Sequence, residues 1–535
     1  MRTCGQAIPE LLEAYGIEVV FGIPGVHTVE LYRGLSESKL RHVTPRHEQG
    51  AALMALGYAA ATGRPAACFL TTGPGILNAA TAIGEAYADS HPMVVVCSTN
   101  RTNEIGMGGG RLHEVASQRA MIEQITAFTH TLLSPANLPE LMARAFTLFE
   151  TGRPRPVCIE IPTDILAAPT DADLSAWPLP RAAAPNSATI ADFARRMKDS
   201  KRPLLLFGGG CASASDEALA LAELLDAPVV LTQAAKGVVP ENHPLCLGFT
   251  LPLPPIQRLV DESDVVLAVG TELGEVDRFM ASNYAIRGDL LRIDICPDQL
   301  TRNARPADVL LADARTALRA LISALEGQTA RRPSTDDRLA DIRQELDAHR
   351  LPRWQMHHRL MDLLRDRVPA GTIISADSSQ LAYSGAMHFP STEPRTWLFP
   401  ANFGSLGTGL PMAIGAKIGR PDRTVVCIAG DGGFLFTIEE LATAVEEKMQ
   451  IIIVLWNNDG YGEIRDAMSS RSVTPIGVDF TTTDFIGIAR GFGCEAERAG
   501  TPQHFVTLLD KALAQSGPTI IEVHENDASF WTHEL

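Results

Sequence analysis

Asp431 and Asn458 stand about one strand–helix–strand unit apart, the first inside a glycine turn, Gly430-Asp431-Gly432-Gly433, and the second closing the pair Asn457-Asn458. A carboxylate and an amide oxygen are hard donors that, with phosphate oxygens, suit magnesium. The right-handed crossover of a βαβ unit returns both residues to the carboxyl edge of one parallel sheet. The flanking sequence supplies the elements this needs. Thr424 to Ala429 is an apolar, β-branched run that reads as a buried strand, Ile438 to Glu447 has helical periodicity, and Ile451 to Leu455 reads as the second strand. Free N–H groups in the turn and at the helix N-terminus make a seat for anionic oxygens. Magnesium held through a phosphorylated cofactor or substrate is the chemistry implied.

Four further stretches carry reactive or glycine-rich patterns. Glu48, in Pro45-Arg46-His47-Glu48-Gln49-Gly50-Ala51, follows a predicted strand and opens a predicted helix, where an acid serves as a first-turn charge or, if partly desolvated, as a proton carrier. Thr71-Thr72-Gly73-Pro74-Gly75-Ile76-Leu77-Asn78 runs from a strand through a turn into a helix expected from Leu77. Gly22-Ile23-Pro24-Gly25 is another such turn, and His27 follows it. His27 and His113 are imidazoles able to work on both sides of neutral pH.

With 535 residues, the chain exceeds one compact core. Strands alternate with helices along its whole length, which predicts an α/β fold of three doubly wound parallel-sheet domains with ligands at the strand ends. Proline- and alanine-rich sequence from Pro162 to Asn186 and a polar run from Thr329 to Asp337 read as linkers, and the third domain is expected to begin near Leu351. The net charge of −17 argues against nucleic acid or an anionic membrane as partner. No apolar run is of spanning length and the first residues lack a signal-peptide pattern, so a cytoplasmic protein is expected. Nine cysteines show neither CxxC pairs nor zinc spacing and read as buried thiols.

The Gly-Asp-Gly turn, its spacing and the second asparagine resemble the diphosphate-binding motif of thiamine diphosphate (ThDP) enzymes. The resemblance covers essentially the whole chain, as a pyrimidine-binding domain (1–165), a central Rossmann-like domain (188–328) and a diphosphate-binding domain (350–535). It implies Asp431, Asn458 and the Gly460 carbonyl as Mg2+ ligands, with Gly430, Gly432, Gly433, Tyr461 and Gly462 bordering the diphosphate. Asp377-Ser378-Ser379-Gln380 resembles the segment that meets the diphosphate from the other side, with Ser378, Ser379 and Gln380 as donors. Ala401 to Pro411 resembles the pyrimidine-binding turn. There Leu406 would wedge the cofactor into its bent form, and the Gly404 carbonyl would accept from the 4′-amino group. Glu48 resembles the activating glutamate that bonds N1′, so that N4′ can take the proton from thiazolium C2.

The segment Thr71 to Asn78 is similar to TSGPGATN of acetolactate synthases, which implies Gly73 and Asn78 as cofactor neighbours, and Gly25 belongs to a loop like the one over the reacting carbon in this family. Thr71 takes the place of a histidine of benzoylformate decarboxylases, and the adjacent His-His pair of pyruvate decarboxylases is lacking. His113 falls where acetolactate synthases have Phe-Gln-Glu. Glu463 and Ala467 replace the Met and Trp of acetolactate synthases on the substrate side, beside Ile464. An anion there, with less bulk, fits a substrate ending in a guanidinium or ammonium group, unless Arg465 or Arg111 pairs with Glu463.

On these residues the chain looks like the 5-guanidino-2-oxopentanoate decarboxylases of arginine catabolism. The resemblance implies ThDP- and Mg2+-dependent, non-oxidative formation of 4-guanidinobutanal and CO2, with His113 or His27 as proton donor. The rival readings are an acetolactate synthase-like carboligase acting on pyruvate and a non-catalytic ThDP-binding regulatory paralogue. FAD in the central domain, at Gly208-Gly209-Gly210, is not expected. Because Glu48 and Asp431 lie on different domains, the family's habit of seating the cofactor between two chains implies a homodimer or homotetramer.

Overall fold

The computed structural model describes residues 2–278, 286–327, 335–349, 354–480, 482–527 and 530. The expected domain limits at 328 and 350, the start near Leu351 and most of the second linker lie outside the described residues. The chain divides into two compact units, Met1–Pro180 with Ile374–Gln380 and Leu398–Asp527, and Arg181–Ile373 with Leu381–Trp397 and Ala528–Leu535.

Three parallel sheets form the framework, as the alternation predicts. The first has the order β2-β1-β3-β4-β6-β5, made of β1 (Val19–Gly22), β2 (Arg41–Val43), β3 (Ala66–Leu70), β4 (Met93–Thr99), β5 (Phe128–Thr131) and β6 (Val157–Pro162). The middle sheet, β11-β10-β9-β7-β8, uses β7 (Pro203–Phe207), β8 (Val229–Leu231), β9 (Val265–Val269), β10 (Asp289–Asp294) and β11 (Asp308–Leu311). The third, β13-β12-β14-β15-β17-β16, uses β12 (Ile373–Ala376), β13 (Trp397–Leu398), β14 (Val425–Gly430), β15 (Ile451–Asn457), β16 (Glu495–Arg498) and β17 (Thr519–His524). The first and third sheets have the same order, so each carboxyl-edge loop of one has a counterpart in the other. Continuous apolar runs such as Val425 to Ala429 and Ile451 to Leu455 are buried throughout, as strands covered on both faces must be.

Two helices with the same place in these two sheets pack on one another. The helix Glu48–Thr62 is buried all along Gly50 to Ala61, and Gly409–Gly419 is buried along most of its length. Helices apolar all round have to be enclosed, and small residues allow a close approach. A Cβ at Gly57 would overlap the Met412 carbonyl, and one at Gly415 the Met54 carbonyl.

In the middle sheet, Gly208 and Gly210 pack on the backbone of Gly270, where a Cβ would collide. Their glycines therefore have a packing cause at the strand ends. The described cysteines are all free thiols, eight of them buried. Among the described residues no helix is long and apolar enough to cross a membrane.

Candidate active site

The strand β14 ends at Gly430, and the expected turn is itself one helical turn, Asp431–Phe434, because Asp431 sits where an acid meets free N–H groups. Its Oδ2 accepts from the Gly460 N–H at 2.8 Å, so β15 and the loop after it do return to β14. Asn458 Nδ2 donates to Gln380 Oε1 at 3.2 Å. That leaves the Asn458 amide oxygen 2.8 Å from the Gly460 carbonyl oxygen and 3.2 Å from Asp431 Oδ1, three acceptors facing one another. Turning the amide over would make these contacts hydrogen bonds but would set its oxygen against Gln380 Oε1. Oxygens at such separations match the edges of an octahedron with bonds of about 2.1 Å, and the donor set is the hard one magnesium takes. Burial pushes the Asp431 carboxyl up to about 6 despite the N–H bonds it accepts; a cation beside it would act in the opposite sense.

Glycine around this corner answers to protein packing as well as to ligand access. A Cβ at Gly432 would meet the Tyr461 ring at 2.6 Å, and one at Gly433 would meet Asp377 Oδ2 at 2.8 Å. Asp377, at the end of β12, accepts the N–H groups of Ser378 (2.8 Å) and Gly407 (3.0 and 3.1 Å). It thereby ties the Ser378–Gln380 segment to the loop that carries Leu406. Leu406 is half-buried on that loop, while Gly404 has φ 73° and open space where a Cβ would point. An apolar wedge beside an unobstructed backbone fits a bent aromatic cofactor.

The same loop is held from the first sheet. Asp89 accepts the N–H groups of Ala401 and Asn402, each at 2.9 Å, and Glu85 accepts that of Ser405 at 3.0 Å. Burial and the adjacent Glu85 push Asp89 up to about 8. Sequence reasoning missed Asp89, Glu85 and the role of Asp377, because no local pattern distinguishes them from ordinary helix and strand-end acids.

On the first sheet, the predicted residues converge. Glu48 is the first residue of its helix, half-buried, and Glu48 Oε2 accepts from Asn78 Nδ2 at 2.9 Å. The structure thus gives Asn78 a partner in Glu48. The helix expected from Leu77 begins at Pro74, since proline at the first helical position is pre-set for it. A Cβ at Gly75 would meet Thr71 at 2.7 Å and Glu48 Oε1 at 3.4 Å, and one at Gly25 would meet Thr71 Oγ1 at 3.0 Å. Gly73 has φ 65°, and its N–H donates to Gln118 Oε1 at 2.8 Å.

His27 and His113, far apart in sequence, are edge-to-face with ring centroids 5.2 Å apart. His27 is half-buried, and its Nδ1 lies 2.9 Å from Thr72 Oγ1, with the donor set by the imidazole tautomer. Burial and then His113 hold His27 below the usual imidazole value, against an opposite pull from Glu104. His113 itself has φ 63°, and its buried Nδ1 makes no hydrogen bond among the described residues. Thr71 Oγ1, also buried, is in the same state. Buried polar atoms left without a partner suit a place for a ligand.

Glu463 opens the helix Gly462–Ser470 and accepts from Gln380 Nε2 at 3.1 Å; the same amide nitrogen lies 2.9 Å from Asp466 Oδ2. The Gln380 amide thus faces two carboxylates and Asn458. Arg465 pairs with Asp479 at 2.8 Å and Arg111 with Glu104 at 3.3 Å, so neither is the local cation for Glu463. Among the described residues Glu463 forms no ion pair. Ile464 is 51% exposed and Ala467 half-buried on the same helix.

A carboxylate, an amide and a carbonyl gathered beside a glycine turn at the edge of a parallel sheet suit a cation held together with anionic oxygens. Family models for the thiamine pyrophosphate enzymes match along the chain: the N-terminal TPP-binding domain over residues 2–125, the central domain over 190–321 and the C-terminal TPP-binding domain over 377–523. The chain is 44% identical, over 97% of its length and 94% of the relative's, to a probable 2-ketoarginine decarboxylase of Pseudomonas aeruginosa. It is 32% identical, over 97% and 93%, to the acetolactate synthase isozyme 1 large subunit of Escherichia coli. A probable acetolactate synthase large subunit of Methanocaldococcus jannaschii is 30% identical over 97% of this chain and 91% of its own. The chain belongs to the thiamine pyrophosphate enzymes, in the group of 2-oxo acid decarboxylases and acetolactate synthases.

Proposed function

We propose that the protein catalyses ThDP- and Mg2+-dependent, non-oxidative decarboxylation of 5-guanidino-2-oxopentanoate, the 2-oxo acid of arginine, to 4-guanidinobutanal and CO2. The observation that carries the reading is Glu463, a half-buried carboxylate in the first turn of its helix whose hydrogen-bond partner is a neutral amide. A guanidinium group would satisfy it through two parallel N–H donors. The 44% identity to a probable 2-ketoarginine decarboxylase supports the same substrate.

When bound, ThDP supplies the electron sink for the pair left at the acyl carbon as CO2 departs. Asp431, Asn458 and the Gly460 carbonyl would hold Mg2+ at the diphosphate, with the Ser378–Gln380 segment and the Gly430–Gly433 turn alongside. Leu406 and Gly404 would shape the pyrimidine seat. Glu48 moves the proton that activates the cofactor. His113, with its free Nδ1, and His27, below its usual pKa, are suited to deliver the proton that replaces CO2 at the acyl carbon. Thr71 and Gly25, which lie against one another, would flank that position.

A second copy of the chain completes the site in this reading, as dimer or tetramer. Large apolar residues stand exposed around the site loops, Val26 at 69%, Met107 at 73% and Phe403 at 54% among them, a surface suited to cover by a partner.

The test is product analysis by mass after incubation with ThDP and Mg2+. The decarboxylase reading requires 4-guanidinobutanal in amounts equal to the CO2 released. Acetolactate formed from pyruvate, with the guanidino acid untouched, would replace it with the carboligase reading, which the acetolactate synthase relatives support.

A further inference from the structure

Glu440 is a buried acid that the reaction above does not use. It begins the helix Glu440–Glu446, which follows the Gly430–Gly433 turn, and none of its surface is exposed. Its carboxylate reaches the first sheet. Oε1 accepts the N–H of Arg46 at 3.0 Å and of His47 at 3.1 Å, while Oε2 accepts from Arg46 N–H at 3.2 Å and from Thr443 Oγ1 at 2.6 Å. Arg46 and His47 are the two residues before Glu48. The Arg46 guanidinium pairs with Glu446, on the same helix as Glu440. The carboxylate fills a notch that only glycine leaves: a Cβ at Gly50 would overlap it. An anion at this place also faces the positive end of the Glu48–Thr62 helix.

We propose that Glu440 is a positioning residue for Glu48, fixing the start of its helix and so the place of the activating carboxylate. The inference rests on the reading of Glu48 as the proton carrier toward the cofactor. Glu440 touches the backbone ahead of Glu48 and acts through it. A hydrogen-bonded carboxylate holds two adjacent N–H groups more rigidly than water, and a displacement of about 1 Å in a reacting group can cost about 100-fold in rate.

An independent contact of the same form supports the role. Glu85 lies on the helix Ala80–Ala88, which follows β3 as the Glu440 helix follows β14, and it accepts the N–H of Ser405 in the loop after β13. Each sheet therefore sends an acid from corresponding helices to the backbone of the other's loop, Glu440 to the approach to Glu48 and Glu85 to the loop of Gly404 and Leu406. The contact occurs twice at matching topological positions, and both times it ends on a loop assigned to the cofactor.

The test follows hydrogen–deuterium exchange at thiazolium C2 of ThDP bound to the protein, together with kcat, KM and cofactor affinity. Glu440→Gln puts an NH2 against the two N–H donors. It is expected to slow C2 exchange and kcat together by about 10-fold or more, with KM and cofactor Kd within about twofold. Glu48→Gln should slow exchange further, and the double variant should be no slower than Glu48→Gln alone, because coupled residues are not additive. Gly50→Ala, which pushes the carboxylate from the opposite side, gives the same signature should Glu440→Gln fail to fold. Unchanged exchange in Glu440→Gln and Gly50→Ala, or a double variant slower by the product of the two losses, would overturn the proposal. Bound ThDP exchanging no faster in the wild type than in solution would instead remove the role of Glu48, and the proposal with it.

Discussion

The first and third sheets have one strand order and two kinds of chemistry. Their corresponding loops can be matched pair by pair: Gly22–Gly25 after β1 with Asp377–Gln380 after β12, Glu48 after β2 with Gly404 and Leu406 after β13, Thr71–Gly75 after β3 with Gly430–Gly433 after β14, and His113 after β4 with Asn458–Glu463 after β15. On the first sheet these positions hold Glu, His and Thr, to which the proposed function gives the proton transfers. On the third they hold Gly, Asp, Asn and Ser, to which it gives the diphosphate and the cation. Topology sets where loops gather, and their residues set what happens there.

The largest effects should separate the two kinds of loop. Glu48→Gln should lower the decarboxylation rate by about 10²–10⁴-fold, the range of a lost acid–base group, while isothermal titration still detects ThDP binding. Asp431→Ala should do the reverse and weaken ThDP binding in Mg2+ by at least about 10-fold, since even partners outside the metal's own ligands cost that much. Equal loss of binding in both variants would erase the distinction.

A smaller effect is expected within the first sheet. His113→Ala should slow aldehyde formation by about 100-fold, and His27→Ala by less, with ThDP binding retained in both. Rates at the wild-type level in both would leave proton delivery to water. Glu463→Gln should lower kcat/KM for the guanidino acid by about 10- to 100-fold, as for loss of a charge-assisted pair, and leave turnover of pyruvate unchanged.

The smallest concerns stability. Burial and the adjacent Glu85 push Asp89 up to about 8 from an ordinary value of 3.8. Between these values the unfolded chain has lost a proton that the native state holds, so stability falls as pH rises through that window and levels above it. Asp89→Asn should flatten the fall of the melting temperature between pH 5 and 8, at about 2–4 °C for each kcal/mol involved. An unchanged slope would show that Asp89 is not the group whose proton the fold retains.

Much of the cofactor corner was legible in sequence because its residues are local. A glycine turn after an apolar strand, followed by an asparagine one βαβ unit later, encodes both element and position. The acids that join the two sheets were not, since Glu440 meets Arg46 and His47, and Asp89 meets Asn402, hundreds of residues away. Two edge strands were missed for a different reason. Glu495–Arg498 and Phe128–Thr131 are partly exposed and carry no apolar run, which is the usual state of an edge. The His27–His113 pair could not be read from a sequence that lacks adjacent histidines, because the turn at Gly73 brings His113 over. The partner of Glu463 also lay beyond reach, in the loop after β12.

The most direct test of the account compares kcat/KM for 5-guanidino-2-oxopentanoate with that for its neutral isostere, 5-ureido-2-oxopentanoate. Shape and length are the same, so the ratio reports the charge that Glu463 is assigned to recognise. A preference of about 10-fold or more for the guanidino acid, abolished in Glu463→Gln, is the predicted result. Equal turnover of the two acids by the wild type would contradict it.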